Sequence, residues 1–543
     1  MVIMLRKTFF AVGLCALLCS CGSETKTDPK KPSNNSETSD NTNTPKDNTV
    51  DEQEPNNSLK QPNVVDLEKT YRGTLGPVVK KGDEDWYVID AGAEKKRVKV
   101  TLSAINEIDL SLVFFNDKNE TTAVVNNRGA GKEELVPSYG LFPGKNYLRV
   151  REVEKKGKPP VSDEVNPYLL SFEVLGDTPD EELEPNNVDR NASPLAANKE
   201  VSGYLAWNKD VDWYQIPTAG VEPGSLMRID FKGVEGVTPQ ITLYDAIVAP
   251  LWGPVTPVKA EQLTLRNIAI KTGPGFEKYY IVVEAKKDAN PELKYTLAVS
   301  FEKGSGETEL EPNDDRKRAT PIDNGQRLGG TLSQNDADFY KVVADAPAIL
   351  RVDVDPLPGV DLRIEVQNAE GQKTFAVNSK AKDEGETIPG IAIPMGPSFI
   401  KISGGKGEFN NSENYIVAIT LTPQDGTMEK EPNATKDEAT EIALGLTLSG
   451  YMFPVKDVDV YRLDLSQRTD PTSLQITVTG ILKVDQSVEL RDDTDAVVQA
   501  AAKQPAGEDE IIKATLDPGV YQIIIKGTGD NPRDMYQLRV EER

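Results

Sequence analysis

One acidic phrase, Glu-x-Glu-Pro-Asn, is written four times in this chain. It stands as EQEPNN at 52–57, ELEPNN at 182–187, ELEPND at 309–314 and EKEPNA at 429–434, at spacings of 130, 127 and 120 residues. A period this regular within 543 residues constrains the fold to several copies of one unit. Further landmarks follow each phrase in fixed order. A Gly-x-Leu-like segment comes first: GTL 73–75, GYL 203–205, GTL 330–332 and GYM 450–452. Next is Asp-x-Asp before an aromatic or Val and a Tyr: DEDWY 83–87, DVDWY 210–214, DADFY 336–340 and DVDVY 457–461. A middle apolar segment and a turn into a Tyr- or Phe-bearing segment lead to Tyr168, Tyr295, Tyr415 or Tyr536, each opening a closing run such as YLLSFEV.

These segments alternate with period two, are rich in Val, Ile, Leu, Tyr and Phe, and are bounded by Gly, Pro, Asn and Asp. That is the pattern of short strands joined by hairpins. Seven or eight strands per repeat predict an all-β protein of four tandem β-sandwich, jelly-roll-like domains, at 51–176, 181–303, 307–423 and 427–543. Only DEATEIAL at 437–444 reads as a turn of helix. The short junctions GDTPDE, KGSGET and PQDGTM predict partly restrained beads rather than one fused solenoid. The segments 117–140 and 245–268 read as long, copy-specific loops.

The three cysteines fall within the first 21 residues, and there is no histidine. A basic start (Arg6, Lys7) and an 11-residue apolar run from Thr8 to Leu18 precede Leu18-Cys-Ser-Cys21. The run is short of the roughly 20 residues that span a bilayer, so residues 1–20 are expected to be an export signal. Leu18-Cys-Ser-Cys21 resembles a bacterial lipobox, which implies lipid on Cys21 and membrane attachment in the cell envelope. Gly22 after it resembles outer-membrane-sorted lipoproteins, placing the chain in the periplasm or at the surface. Residues 21–50, nearly free of apolar side chains, are expected to be a disordered tether.

A formal charge of −25 disfavours nucleic acid as a partner and favours cations. Without histidine or a downstream cysteine there is no Ser-His-Asp triad, Cys-His dyad or conventional zinc site. Hard oxygen ligands point instead to Ca²⁺ or Mg²⁺. Two readings of the paired aspartates stand side by side: Asp in a turn caps backbone N–H groups, or Asp83 and Asp85 converge with Glu52, Glu54 and Asn56 on Ca²⁺. Strand alternation puts Tyr87, Tyr214, Tyr340 and Tyr461 on the core face. It leaves Trp86, Trp213 and Phe339 half-exposed, packed under loops or available to a sugar. Paired carboxylates could also serve a glycosidase-like hydrolase, but fourfold repetition is odd for an active site, and the chain is read as no enzyme.

Taken in order, these motifs resemble the bacterial pre-peptidase C-terminal (PPC) domain and the related collagen-binding domain of secreted collagenases, four times over residues 51–543. The resemblance implies a β-sandwich and, in the collagen-binding branch, Ca²⁺ held by the acidic phrase and the later Asp segment. Carried onto this chain, the implied ligands of the first repeat are Glu52, Glu54, Asn56, Asp83 and Asp85. Those of the second are Glu182, Glu184, Asn186, Asp210 and Asp212. The third supplies Glu309, Glu311, Asn313, Asp314, Asp336 and Asp338, and the fourth Glu429, Glu431, Asn433, Asp457 and Asp459. Ala434 stands where the third repeat has Asp314, which makes the fourth site the weakest. The expected role is non-catalytic binding or adhesion to an extracellular protein or polysaccharide. The alternative is a spacer, or an accessory to a secreted peptidase, without a ligand of its own.

Overall fold

The computed structural model describes residues 48–77, 82–153, 159–257, 262–502 and 504–543, so the export segment, Cys21 and the tether up to Asp47 lie outside the described residues. The first repeat consists of β1 (Thr49–Asp51), β2 (Asn63–Val65), β3 (Thr70–Leu75), β4 (Glu84–Asp90), β5 (Lys96–Leu102), β6 (Leu110–Phe115), β7 (Thr121–Val125), β8 (Glu134–Leu141), β9 (Lys145–Glu152) and β10 (Asp163–Leu175). One sheet runs β1-β3-β10-β5-β8 and the other β2-β4-β9-β6-β7. The tether is expected to reach residue 50, yet Thr49 and Val50 already pair in parallel with Thr70 and Tyr71.

The same strand order recurs in the next three repeats, giving an all-β fold with eight sheets of four or five strands each among the described residues. Helix among the described residues is confined to three-residue 3₁₀ turns at Asp189–Asn191, Gly405–Gly407 and Lys436–Glu438, the last at the edge of the expected helical turn. Period-two patterning explains the strands: in Ser225–Lys232, Ser225, Met227, Ile229 and Phe231 are buried while the residues between them are partly exposed. Both sheets of each repeat send such residues into one shared apolar core. Among the described residues, the segments 117–140 and 245–268 are more than loops. They form β7 and β8 and their counterparts Pro250–Val255 and Gln262–Ala269, hairpin strands present in every repeat, whose sequences diverge too far to show as a shared motif.

Nor are the repeats separate beads. Ala206 and Trp207 of the second repeat complete the core of the first, and Tyr451 and Phe453 of the fourth complete that of the third. Trp207 is 4% exposed. Trp207→Ala is therefore expected to cost about 3–5 kcal/mol. Hydrogen exchange should show the loss in β7 and β8 of the first repeat, where Asn127 bonds the segment around Trp207, as well as in the second. Protection lost in the second repeat alone would mean the repeats fold independently.

Candidate metal centre

Each acidic phrase crosses the mouth between its two sheets and is pinned to both. In the second repeat the Glu182 N–H donates to the Ser202 carbonyl at 2.9 Å, and the Trp213 N–H donates to the Asn186 carbonyl at 3.0 Å. The other repeats repeat both bonds, with Glu52, Glu309 and Glu429 on one side and Trp86, Phe339 and Val460 on the other. In each of the four phrases the Glu–Pro peptide bond is cis.

The second Asp of each Asp-x-Asp pair has the same strand parity as the core tyrosine, so it points inward, and Asp85, Asp212, Asp338 and Asp459 are fully buried. There it meets the two glutamates of the phrase. The groups Glu52/Glu54/Asp85, Glu182/Glu184/Asp212, Glu309/Glu311/Asp338 and Glu429/Glu431/Asp459 each bring three carboxylate oxygens within 4.8 Å of one another. The closing tyrosine holds the aspartate: the hydroxyls of Tyr168, Tyr295, Tyr415 and Tyr536 donate to Asp85, Asp212, Asp338 and Asp459 at 2.6, 2.7, 2.5 and 2.6 Å. That hydroxyl also hydrogen-bonds the core tyrosine, as Tyr214 to Tyr295 at 2.6 Å. The first glutamate is anchored by the backbone, with the Thr74, Thr331 and Tyr451 N–H groups donating to Glu52, Glu309 and Glu429 at 2.6, 2.7 and 2.6 Å.

The glycine of Gly-x-Leu makes room for this. A Cβ on Gly73, Gly203, Gly330 or Gly450 would overlap the closing tyrosine's hydroxyl end. Gly203→Ala should therefore destabilise the second repeat by about 1–3 kcal/mol, read from a chemical unfolding curve. An unchanged midpoint would show that the tyrosine is free to move away.

The first Asp of each pair behaves differently. Asp210 accepts from the Ala206 N–H at 2.7 Å and the Val211 N–H at 3.1 Å. Asp457 likewise accepts from Phe453 and Val458 at 2.7 and 2.9 Å. Asp83 caps the Gly76 and Glu84 N–H groups, and Asp336 the Ser333 N–H. Turn capping thus accounts for Asp83, Asp210, Asp336 and Asp457, while the second aspartates join the cluster. Asp314 lies outside the three-carboxylate group and ion-pairs with Arg318 at 3.5 Å. The buried asparagines Asn56, Asn186, Asn313 and Asn433 sit beside the glutamates, each main-chain N–H donating to the second glutamate at 2.8–3.0 Å.

The electrostatics call for a counter-charge. Two charges about 4.8 Å apart repel by about 3.5 kcal/mol at an effective dielectric near 20, so three ionised carboxylates approach the whole stability of a domain. Burial first, and the neighbouring carboxylates next, push Glu182, Glu184, Asp210 and Asp212 well above the ordinary carboxylate range. Burial raises Glu309 to about 7, and burial with Asp457 raises Glu431 to about 7. Of the cations near the second cluster, Lys294 and Arg97 pair with Glu181, outside it, while Lys95 feels the charge of Glu184 without forming an ion pair with it.

Several buried oxygens of the clusters also lack a partner, namely Asp85 Oδ1; Glu184 Oε1, Asn186 Oδ1 and Asp212 Oδ1; and Asn313 Oδ1 and Asp338 Oδ1, with Oδ1 of the capping Asp336 beside the third. Unpaired, hard, anionic oxygens on fixed backbone are the donor set that Ca²⁺ takes. The residues therefore fit the ion. The fourth repeat fits it least, because the Asn433 amide, turned about, donates to Asp459 Oδ1 at 3.1 Å and Glu431 Oε1 at 3.2 Å and satisfies the acids without metal.

The expected half-exposed aromatic face holds only for Trp213. Trp86, Phe339 and Val460 are buried. Trp86 stacks on Phe115 and Trp213 on Tyr244, with ring centroids 5.0 and 5.2 Å apart, because strands two places away in the same sheet bring their outer rings together. Strand alternation identifies Tyr87 and its counterparts as packing residues and leaves the closing tyrosines unassigned to the site. Their recurrence at each closing strand was the available signal.

No family model matches the sequence, and no curated protein does. Among solved structures, a pre-peptidase C-terminal domain of a collagenase from Bacillus anthracis aligns at 20% identity over 21% of this chain and 99% of its own, with a TM-score of 0.17. A BSP domain of a biofilm-associated protein aligns at 12% identity over 82% of this chain and 90% of its own, with a TM-score of 0.13. At these identities and scores neither says what the chain does.

Proposed function

We propose that the chain is a non-catalytic cell-envelope lipoprotein, anchored through Cys21, whose four PPC-like, jelly-roll-like sandwiches form a Ca²⁺-stiffened array for binding an extracellular protein or polysaccharide. The observation that carries the reading is the placement of the acidic clusters of the second, third and fourth repeats. Each lies where its repeat seats on the one before, with the Glu184, Glu311 and Glu431 carbonyls accepting hydrogen bonds from the preceding repeat. Glu182, Glu184, Asp212 and Asn186 Oδ1 would hold the ion in the second repeat, as Glu52, Glu54, Asp85 and Asn56 would in the first and Glu309, Glu311, Asp338 and Asn313 in the third. A bound cation supplies the positive charge that lets these acids stay ionised in the fold. The tyrosine hydroxyls and backbone amides fix the acids in place, and their burial in the second, third and fourth repeats keeps them from a polysaccharide chain, which favours a structural over a hydrolytic role.

Binding of residues 22–543 to immobilised matrix proteins and polysaccharides, with Ca²⁺ and with chelator, tests this. Cation-dependent, saturable retention is expected. Rigidity without retention on any surface would favour the spacer, a reading supported by the cores shared through Trp207 and Phe453.

A further inference from the structure

The three internal junctions share one contact, and each end of the array presents one half of it. At each junction an edge strand of one repeat donates to the acidic phrase of the next: Gly140 N–H to the Glu184 carbonyl at 2.6 Å, Ala269 to Glu311 at 2.8 Å and Ala392 to Glu431 at 2.9 Å. The donor is always Gly or Ala. A Cβ on Gly140 would press against Leu183 and the Glu184 carbonyl. Each of these edge strands also carries an extra residue, so that its pairing slips between Val98/Val100, Met227/Ile229 and Leu350/Val352. Bulges of this kind turn an edge strand away from simple strand addition and re-aim it.

The fourth edge strand, Glu510–Leu516, departs on every count. It pairs with Thr472–Val478 without a slip, and the position matching Gly140, Ala269 and Ala392 is Thr515. Lys513 points outward from it, a charge that discourages strand addition. At the other end, the phrase of the first repeat is bare among the described residues. Gln53, Glu54 and Pro55 are exposed, whereas Glu184, Glu311 and Glu431 are 2, 1 and 7% exposed.

We propose that the exposed face at Gln53–Pro55 is a docking surface for the bulged, Gly- or Ala-bearing edge strand of a further sandwich of this kind on a different polypeptide, and that the fourth repeat ends the array. The array is thus polar: it extends only from its first repeat. The contact uses the Glu54 backbone carbonyl and goes beyond the proposed cation role, standing whether or not the clusters hold metal.

Sedimentation of residues 22–543 tests both halves. The native chain should stay monomeric. A variant whose 510–516 segment EIIKATL is replaced by the third repeat's ETIPGIAI should associate head-to-tail with rising concentration. Gln53→Trp, which places bulk where Leu183 meets β8, should undo this. A second readout needs only the native fold: a fluorescently labelled peptide of residues 385–394 should bind the native chain saturably, at least about tenfold more weakly to Gln53→Trp. Self-association of the native chain would overturn the terminating role and make a second copy the occupant. A peptide that does not bind, or that binds Gln53→Trp equally well, would overturn the docking surface.

Discussion

Removing Ca²⁺ is expected to lower the melting temperature of residues 22–543 by several degrees, and by more at pH 8 than at pH 5. The sign follows from the buried carboxylates. Their folded-state pKa values lie above the unfolded ones, with Glu309 and Glu431 near 7 and Asp457 near 6, chiefly because burial disfavours the charged form. Without metal the folded chain holds protons that the unfolded chain has released. Its stability is then fully present below the unfolded carboxylate pKa and is lost as pH rises through the folded values. A cation needs the acids deprotonated, so its stabilisation grows over the same window. At a hundred times the dissociation constant one site contributes about 2.7 kcal/mol. Thermal scans with Ca²⁺ and with chelator from pH 5 to pH 8 should diverge upward. Parallel curves would mean that no cation couples to these acids.

Neutralising a cluster should have opposite effects with and without the ion. Glu184→Gln with Asp212→Asn preserves shape, and the new Asn oxygen can still accept from the Tyr295 hydroxyl, now at 2.7 Å from Asp212. The cost of holding these two buried acids protonated, or of ionising them side by side, disappears. In chelator the double variant should therefore melt above the native chain, by an amount worth about 1–3 kcal/mol, while the Ca²⁺-induced rise from the second repeat vanishes. A purely structural hydrogen-bond role for these acids predicts a lower melting temperature in both conditions. The crossover separates the two.

Much of the fold was legible because it is written by period two and repeated. The strands that carry Gly73, Asp85 and Tyr168 and their counterparts lie where alternation and the repeated motifs place them. The acidic convergence was legible in part: the phrase and the inward second Asp share a repeat, and strand parity alone aligns Asp85 with Tyr87. What separates Asp83 from Asp85 is which backbone amides the first one caps, a turn geometry that Asp-x-Asp does not encode by itself. The Tyr168 hydroxyl reaches Asp85 across 83 residues, a contact local patterning does not report. The stacking was least legible. Trp207 and Phe453 follow their strands and Tyr451 lies inside the GYM segment, with no local pattern to mark them, and only the three-dimensional placement of the preceding core shows what they fill.

Burial also sets the first repeat apart. Its cluster has Glu54 exposed and Glu52 half-buried, while the corresponding acids of the later repeats are enclosed. The first site should accordingly exchange its ion fastest and tolerate ionisation without metal best, since solvent screens it.

Calorimetric titration of Ca²⁺ into metal-stripped residues 22–543 tests the central claim most directly. The account predicts saturable binding at more than one site, with affinity no weaker than the roughly 10⁻⁴–10⁻³ M of extracellular Ca²⁺ modules. It also predicts loss of that binding in the combined Asp85→Asn, Asp212→Asn and Asp338→Asn variant. An absence of heat through millimolar Ca²⁺, with an unchanged melting temperature, would contradict it.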